Sequence, residues 1–175
     1  LISTTAEGGG KSGSLIIDTR RLIVQNNAAI STFPFNGTGG DLTINAIDIF
    51  LQGKATILTG TLGQQNAGDL TINADKVTLL DGGSILASTF GEGNAGEFTF
   101  SVGELSIRNG SKVSSDTFAA GSGGNLTIKD ALEIEVIGTS EDGSFPSNIS
   151  ASSLGSGNSG NLNITSDTLN IRDGG

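Results

Sequence analysis

The strongest constraint on this chain is a short phrase that keeps returning: Gly40-Asp41-Leu42-Thr43-Ile44, Gly68-Asp69-Leu70-Thr71-Ile72, Gly96-Glu97-Phe98-Thr99-Phe100 and Gly124-Asn125-Leu126-Thr127-Ile128. Looser copies are Gly13-Ser14-Leu15-Ile16-Ile17 and Gly160-Asn161-Leu162-Asn163-Ile164. The leading glycines step by 27, 28, 28, 28 and 36 residues. A fixed period in this range marks a stacked-repeat architecture, in which each unit buries its apolar face only against its neighbours.

Aligned on this phrase, the units give six apolar columns. The first pair runs Leu15, Leu42, Leu70, Phe98, Leu126, Leu162 and Ile17, Ile44, Ile72, Phe100, Ile128, Ile164. Seven residues further on come Leu22, Ile49, Val77, Leu105, Leu132, Leu169 and Val24, Leu51, Leu79, Ile107, Ile134, Ile171. The fifth is Ile2, Ile30, Ile57, Ile85, Val113, Ile149, and the sixth Phe35, Leu62, Phe90, Phe118, Leu154. Within each of the first two pairs the spacing is i, i+2, the strand period, and the residues are β-branched or aromatic. The glycine density excludes helix. Each unit therefore reads as three short strands, 69–74, 76–80 and 84–90 in the clearest copy. A unit of about 28 residues with three strands closes into one coil. Coils stacked at about 4.8 Å, each strand parallel to its equivalents, make a parallel β-helix, right-handed by the crossover rule. The expectation is a single segment, residues 1–175, of about six coils.

Two departures stand out. In the fifth unit the second pair, Leu132 and Ile134, sits one residue early, which predicts a shortened turn. About eight extra residues around Gly138–Pro146 account for the long step, and in solenoids such insertions are loops on one face.

Composition limits the chemistry. Cys, Met, Trp, Tyr and His are all absent. That removes disulfides, thiolate chemistry, most structural zinc sites and the usual general base. A formal charge of −9 argues against nucleic acid or an anionic membrane as partner. No apolar run approaches the length of a membrane-spanning helix. Gly, Ser and Asn are abundant enough to suggest disorder, but the apolar residues are periodic, not scattered.

Each repeated polar feature has a structural and a functional reading. Asp41, Asp69 and Glu97 stack at the coil spacing, and adjacent pairs repel by about 0.9 kcal/mol in water. They read as a solvated corner, or as a calcium or other cation site bridging coils. The turns Gly91–Gly96 and Gly155–Gly160 lack the helix and the Lys-Ser/Thr ending of a phosphate loop, and their Gly and Asn suggest left-handed turn conformations. Asn66, Asn94 and Asn158 suggest a stacked amide ladder. Arg108, Arg172, Lys54, Lys76 and Lys112 read as solubilising charges. Nothing singles out one acid as catalytic, and no Asp/Arg/Lys cluster breaks the repeat, so the chain reads as a non-enzyme with no cofactor. A polysaccharide-lyase reading lacks such a cluster. A lectin reading lacks Trp or Tyr platforms, which leaves the 138–148 loop as the place for a polysaccharide or receptor.

The stretches Asp81-Gly82-Gly83-Ser84-Ile85-Leu86-Ala87-Ser88-Thr89-Phe90-Gly91 and Gly93-Asn94-Ala95-Gly96, with the phrase G-[DN]-L-T-I-x-A, resemble the repeat region of filamentous-haemagglutinin-like exoproteins. The resemblance is to cyanobacterial members exported by two-partner secretion. It covers nearly the whole chain, departs at the insertion, and does not include the family's secretion-signal domain. It implies a right-handed β-helical shaft, extracellular or on the cell surface, with adhesive or matrix roles. Leu1 opens inside a repeat, so a longer parent chain is expected. Gly175 aligns with Gly83 and Leu1 with Ser84, so a whole number of coils is spanned. The expectation from this phase is one unit of a tandem array, or copies joined end to end by β-augmentation.

Overall fold

Whether the columns become a solenoid depends on the turns between them. The computed structural model, which describes residues 1–175, contains twelve strands and no helix. They are β1 (Ile2–Thr4), β2 (Leu15–Gln25), β3 (Ala29–Thr32), β4 (Leu42–Gln52), β5 (Thr56–Thr61), β6 (Leu70–Leu80), β7 (Ser84–Thr89), β8 (Phe98–Arg108), β9 (Lys112–Thr117), β10 (Leu126–Ile137), β11 (Asn148–Ser153) and β12 (Leu162–Arg172). The even-numbered strands form one six-stranded sheet and the odd-numbered strands another. Every pairing between neighbouring strands is parallel. The chain is a β-solenoid of stacked coils, about five full turns bounded by six rungs.

The repeat is the register. Leu42 pairs with Leu15 on one side and Leu70 on the other, and the column continues through Phe98 and Leu126 to Leu162. The first five columns supply most of a cluster of 25 buried residues, their members in the first and last rungs being more exposed, and Leu42, Ile44, Ile57, Leu70, Ile72, Leu79 and Ile85 have no exposure. Tight corners follow β2, β4, β6, β8 and β12, whereas β10 runs into the inserted hairpin before β11. Asn26-Asn27, Asp81-Gly82, Asn109-Gly110 and Asp173-Gly174 all have positive φ at both residues. The N–H after each pair donates to the carbonyl before it, as from Gly83 to Leu80. Asn, Asp and Gly are the residues that tolerate this left-handed geometry.

Four local expectations change. The first two predicted strands run together, as in Leu70–Leu80. Leu70 and Ile72 face the core, and so do Val77 and Leu79. Because 72 and 77 differ by an odd number, the alternation breaks once near Ala74–Lys76, and the strand turns there without losing its ladder.

The fifth coil carries an extra residue, not a shortened turn. Lys129 pairs with Ser101, but Glu133 pairs with Glu104, and Asp130 between them has φ 63°. This bulge flips the parity, so Ile134 and Val136 enter the core and Leu132 is 62% exposed.

The sixth column points outward. Ile85, Ala87 and Thr89 alternate into the core, so Phe90, five residues from Ile85, cannot share their face. Phe35, Leu62, Phe90, Phe118 and Leu154 are all exposed. The inward position at the strand end is instead taken by Thr89 and Thr117. Their buried hydroxyls donate to the carbonyls of Gly93 (2.7 Å) and Gly121 (2.6 Å), four residues on.

The glycine-rich turns are not left-handed, since none of Gly91, Gly93, Gly96, Gly155, Gly157 and Gly160 has positive φ. They are glycine because the coils touch there. A Cβ on Gly93 would lie 2.0 Å from the carbonyl oxygen of Gln65, and one on Gly157 1.9 Å from that of Gly121. The repeating glycines 40, 68, 96, 124 and 160 obey the same rule against the glycine one coil earlier.

Two residues beyond the fifth apolar column the chain carries small residues, and Thr32, Thr59, Ala87 and Ser115 are buried there. The hydroxyls of Thr32 and Thr59 have no hydrogen-bond partner. Thr59→Val keeps the shape and removes an unpaired buried hydroxyl, so it should raise stability by about 1 kcal/mol. Thr89→Val removes a made bond and should lower stability by about 1–2 kcal/mol. Urea denaturation of the two variants checks that the signs are opposite.

Candidate functional site

The repeated acids lie at the entrances to β4, β6 and β8, immediately after the contact glycine, with Ser14, Asn125 and Asn161 in the same place before β2, β10 and β12. There Leu42, Leu70 and Phe98 donate their N–H groups to the carbonyls of Asp69, Glu97 and Asn125 in the next coil. The amide of the acidic residue itself is served by a side chain. The N–H of Asp69 donates to Asp41 Oδ1 (3.0 Å), that of Glu97 to Asp69 Oδ1 (2.9 Å), and that of Asn161 to Asn125 Oδ1 (2.8 Å). At the first coil Ser14 Oγ accepts from Asp41 N–H (3.3 Å). Glu97, longer by one methylene, instead accepts from the Asn125 side-chain amide (3.1 Å).

Ser, Asp and Asn thus do one job, and what they share is a short side-chain acceptor, not a charge. The candidate cation ladder Asp41, Asp69 and Glu97 is brought into line as a set of inter-coil acceptors. No three acidic side chains of the chain converge with spacing suited to a metal ion. Asp69→Asn preserves the acceptor and should leave the melting temperature nearly unchanged, whereas Asp69→Ala should cost about 1 kcal/mol. A calcium-dependent rise in melting temperature that Asp69→Asn abolishes would support the cation reading instead.

The predicted asparagine ladder works the same way. Asn66 Oδ1 accepts from the N–H of Asn94 (3.1 Å) and Asn94 Oδ1 from that of Ser122 (2.9 Å), so these side chains bond to backbone and not to each other. True side-chain ladders lie elsewhere. Asn73 donates to Asn45 (2.8 Å), and Asn45 to Asp18 (2.7 Å). At the left-handed corner Asp81 accepts from both Gln52 and Asn109 (2.9 Å each), which holds its carboxyl below the usual carboxylate range. Sequence reasoning missed both, although each was signalled by polar residues recurring at the coil period.

Four of the nine cations are paired across coils, and Lys54 and Lys112 form no ion pair. Arg21 meets Asp48 at 3.0 Å and Lys76 meets Glu104 at 2.7 Å, and the hydrogen bond to Glu104 raises the Lys76 pKa. Arg108 and Arg172 reach Glu135 from neighbouring coils. These pairs are exposed or half-exposed and add little stability individually, but they hold opposite charges in register.

Where the long strands turn, a shallow open groove of about 470 Å³ is lined by Asn45, Asn73, Asp75, Ser101, Gly103 and Asp130 over a floor of Ala46, Ala74 and Val102. It mixes polar walls with an apolar floor and repeats with the coil. The loop after Gly138 is a small hairpin closed by a bridge between Thr139 and Pro146. Within it Asp142 accepts from the Ser140 hydroxyl and the Ser144 N–H, which lowers its pKa. Buried Ser147 anchors the base by donating to the Ile137 carbonyl and accepting from Gly110 N–H. Phe145, near the tip, is 64% exposed.

Comparison with protein-family models, with curated proteins and with solved structures finds no match for the chain.

Proposed function

We propose that this chain is a structural shaft: a β-helical segment of a secreted, filamentous cell-surface protein acting in adhesion or in an extracellular fibre or matrix. The supporting observation is that the polar side chains at the coil corners are used to join one coil to the next. At Ser14, Asp41, Asp69 and Asn125 a side-chain acceptor takes the backbone N–H of the next coil, Glu97 alone turning to a side-chain amide, and no coil is set apart as a reaction centre. The resemblance to filamentous-haemagglutinin-like repeats supports the same reading and carries its extracellular, two-partner-secretion setting. The partners are then neighbouring coils of the same kind, including copies stacked end to end, because a parallel rung offers its unpaired ladder to the next. Electron microscopy of the native full-length chain tests this: continuous rods are expected, and globular particles would overturn it.

The second reading is a module that binds a polysaccharide or a surface receptor through the 138–148 loop. It is favoured by an exposed Phe145 on an ordered, anchored hairpin. Replacing Thr139–Pro146 with one glycine restores the two-residue corner seen at Asn109-Gly110. A shaft should keep its melting temperature within a few degrees and its rod-like assembly. Loss of retention on fixed cells or on a purified extracellular polysaccharide, with folding intact, would favour the binding module.

A further inference from the structure

The outer face of the odd-numbered sheet differs from the rest of the surface in charge. Its six strands contain only two charged residues, Lys112 and Asp116, in a chain of net charge −9. Asp116 is itself only 6% exposed, and its carboxylate is held by the hydroxyls of Ser114 and Ser152. Along the rim of this face runs the outward column Phe35, Leu62, Phe90, Phe118 and Leu154, between 41% and 70% exposed. Phe90 and Phe118 stack with centroids 4.7 Å apart and planes within 3°, and Phe33 meets Phe90 edge-on at 6.1 Å.

We infer that this ridge is a lateral self-association surface, through which two copies of the chain pack rod against rod. Three observations select a second copy as the occupant. Phe90 and Phe118 turn their faces to each other, so the pair offers edges outward and little of the open ring face on which a sugar stacks. A partner must present apolar groups at the coil spacing, and a second copy does so by construction. Copies that repel one another by their net charge can approach most closely where charge is absent. Side chains of this size carry about 150–250 Å² each, so the exposed ridge amounts to about 500 Å² per copy and about 1,000 Å² per pair. That is the lower limit for a specific interface, so a weak dimer is expected at this length and a tighter one when more coils carry the ridge. This pairing is lateral and does not rest on the shaft reading.

Sedimentation equilibrium of the 175-residue chain tests the proposal. The parent should dimerise reversibly, more tightly as salt screens its net charge. Phe90→Ser/Phe118→Ser should weaken the dimer about tenfold or more, while Phe145→Ser, away from the ridge, should leave it unchanged. If the double variant melts differently from the parent, Leu62→Lys, outward and 43% exposed, replaces it with the same expectation. A parent that stays monomeric at high concentration and high salt overturns the proposal. So does undiminished association of a folded ridge variant, which is what stacking through the ends alone would give.

Discussion

Ile85→Asp is expected to destroy cooperative folding of the central coils. Ile85 has no exposure and pairs in register with Ile57 on one side and Val113 on the other. The substitution loses about 1.5–3 kcal/mol of apolar burial. It also puts a carboxyl in a dry column, where the cost of a neutral or charged form without a partner adds several kcal/mol. The sum, about 5 kcal/mol or more, is comparable to the whole stability of an ordinary domain. Because a solenoid is coupled mainly through nearest neighbours, the damage should spread from the mutated coil outward, and the melt should lose its sharpness. The companion variant is Ile47→Asp. Ile47 is equally apolar but 52% exposed at the turn of its strand, and its replacement should shift the melting temperature by no more than a few degrees. Circular dichroism and thermal melts of the pair decide the matter. Unchanged melting of Ile85→Asp would mean that the fifth column does not face the core.

The contrast between Ile85 and Phe90 also marks how far the chain could be read without coordinates. Period, parallel stacking and five of the six columns were legible, because identical apolar residues every 28 positions have few physical explanations. Phe90 reads as a core residue on apolarity alone; it faces outward because β7 alternates without a break through Ile85, Ala87 and Thr89, whereas Ile72 and Val77, equally far apart, share the core across a break in theirs. The bulge at Asp130 was hidden for a related reason. Leu132 and Ile134 mimic the i, i+2 pattern, and it takes the extra residue at Asp130, seen in the register and in burial, to make Ile134 and Val136 the inward pair. For the acid ladder, the presence of Asn125 and Asn161 in the same column was the usable signal that acceptor chemistry outranks charge. The cross-coil pairs Arg21–Asp48 and Lys76–Glu104 were legible in principle, since each is a 27- or 28-residue step between opposite charges. The lateral ridge was not, because it depends on which way each side chain leaves its strand.

The glycine column supplies the second large effect. Gly96→Ala should destabilise the chain by about 3 kcal/mol or more. An added Cβ would sit 2.1 Å from the carbonyl oxygen of Gly68, a backbone atom one coil earlier. Relief requires the coils to separate by about an ångström at that corner. The neighbouring ladder bonds, Leu70 N–H to the Glu97 carbonyl and Glu97 N–H to the Asp69 carboxylate, both 2.9 Å, would then be stretched or lost. Two other glycines separate this cause from backbone freedom. Gly82 has φ 80° with Lys54 Cγ at 3.3 Å, the movable part of a side chain. Gly82→Ala should therefore cost only the left-handed penalty, about 1–2 kcal/mol. Gly9 has ordinary φ and nothing within 4 Å of an added Cβ. Gly9→Ala should be neutral or stabilising by up to about 1 kcal/mol, through the unfolded chain. The order Gly96, Gly82, Gly9 in urea midpoints would establish inter-coil contact as the reason the repeat begins with glycine. Equal effects at Gly96 and Gly82 would reassign that reason to turn conformation, and the coils would then have to be less closely stacked than their hydrogen bonds require.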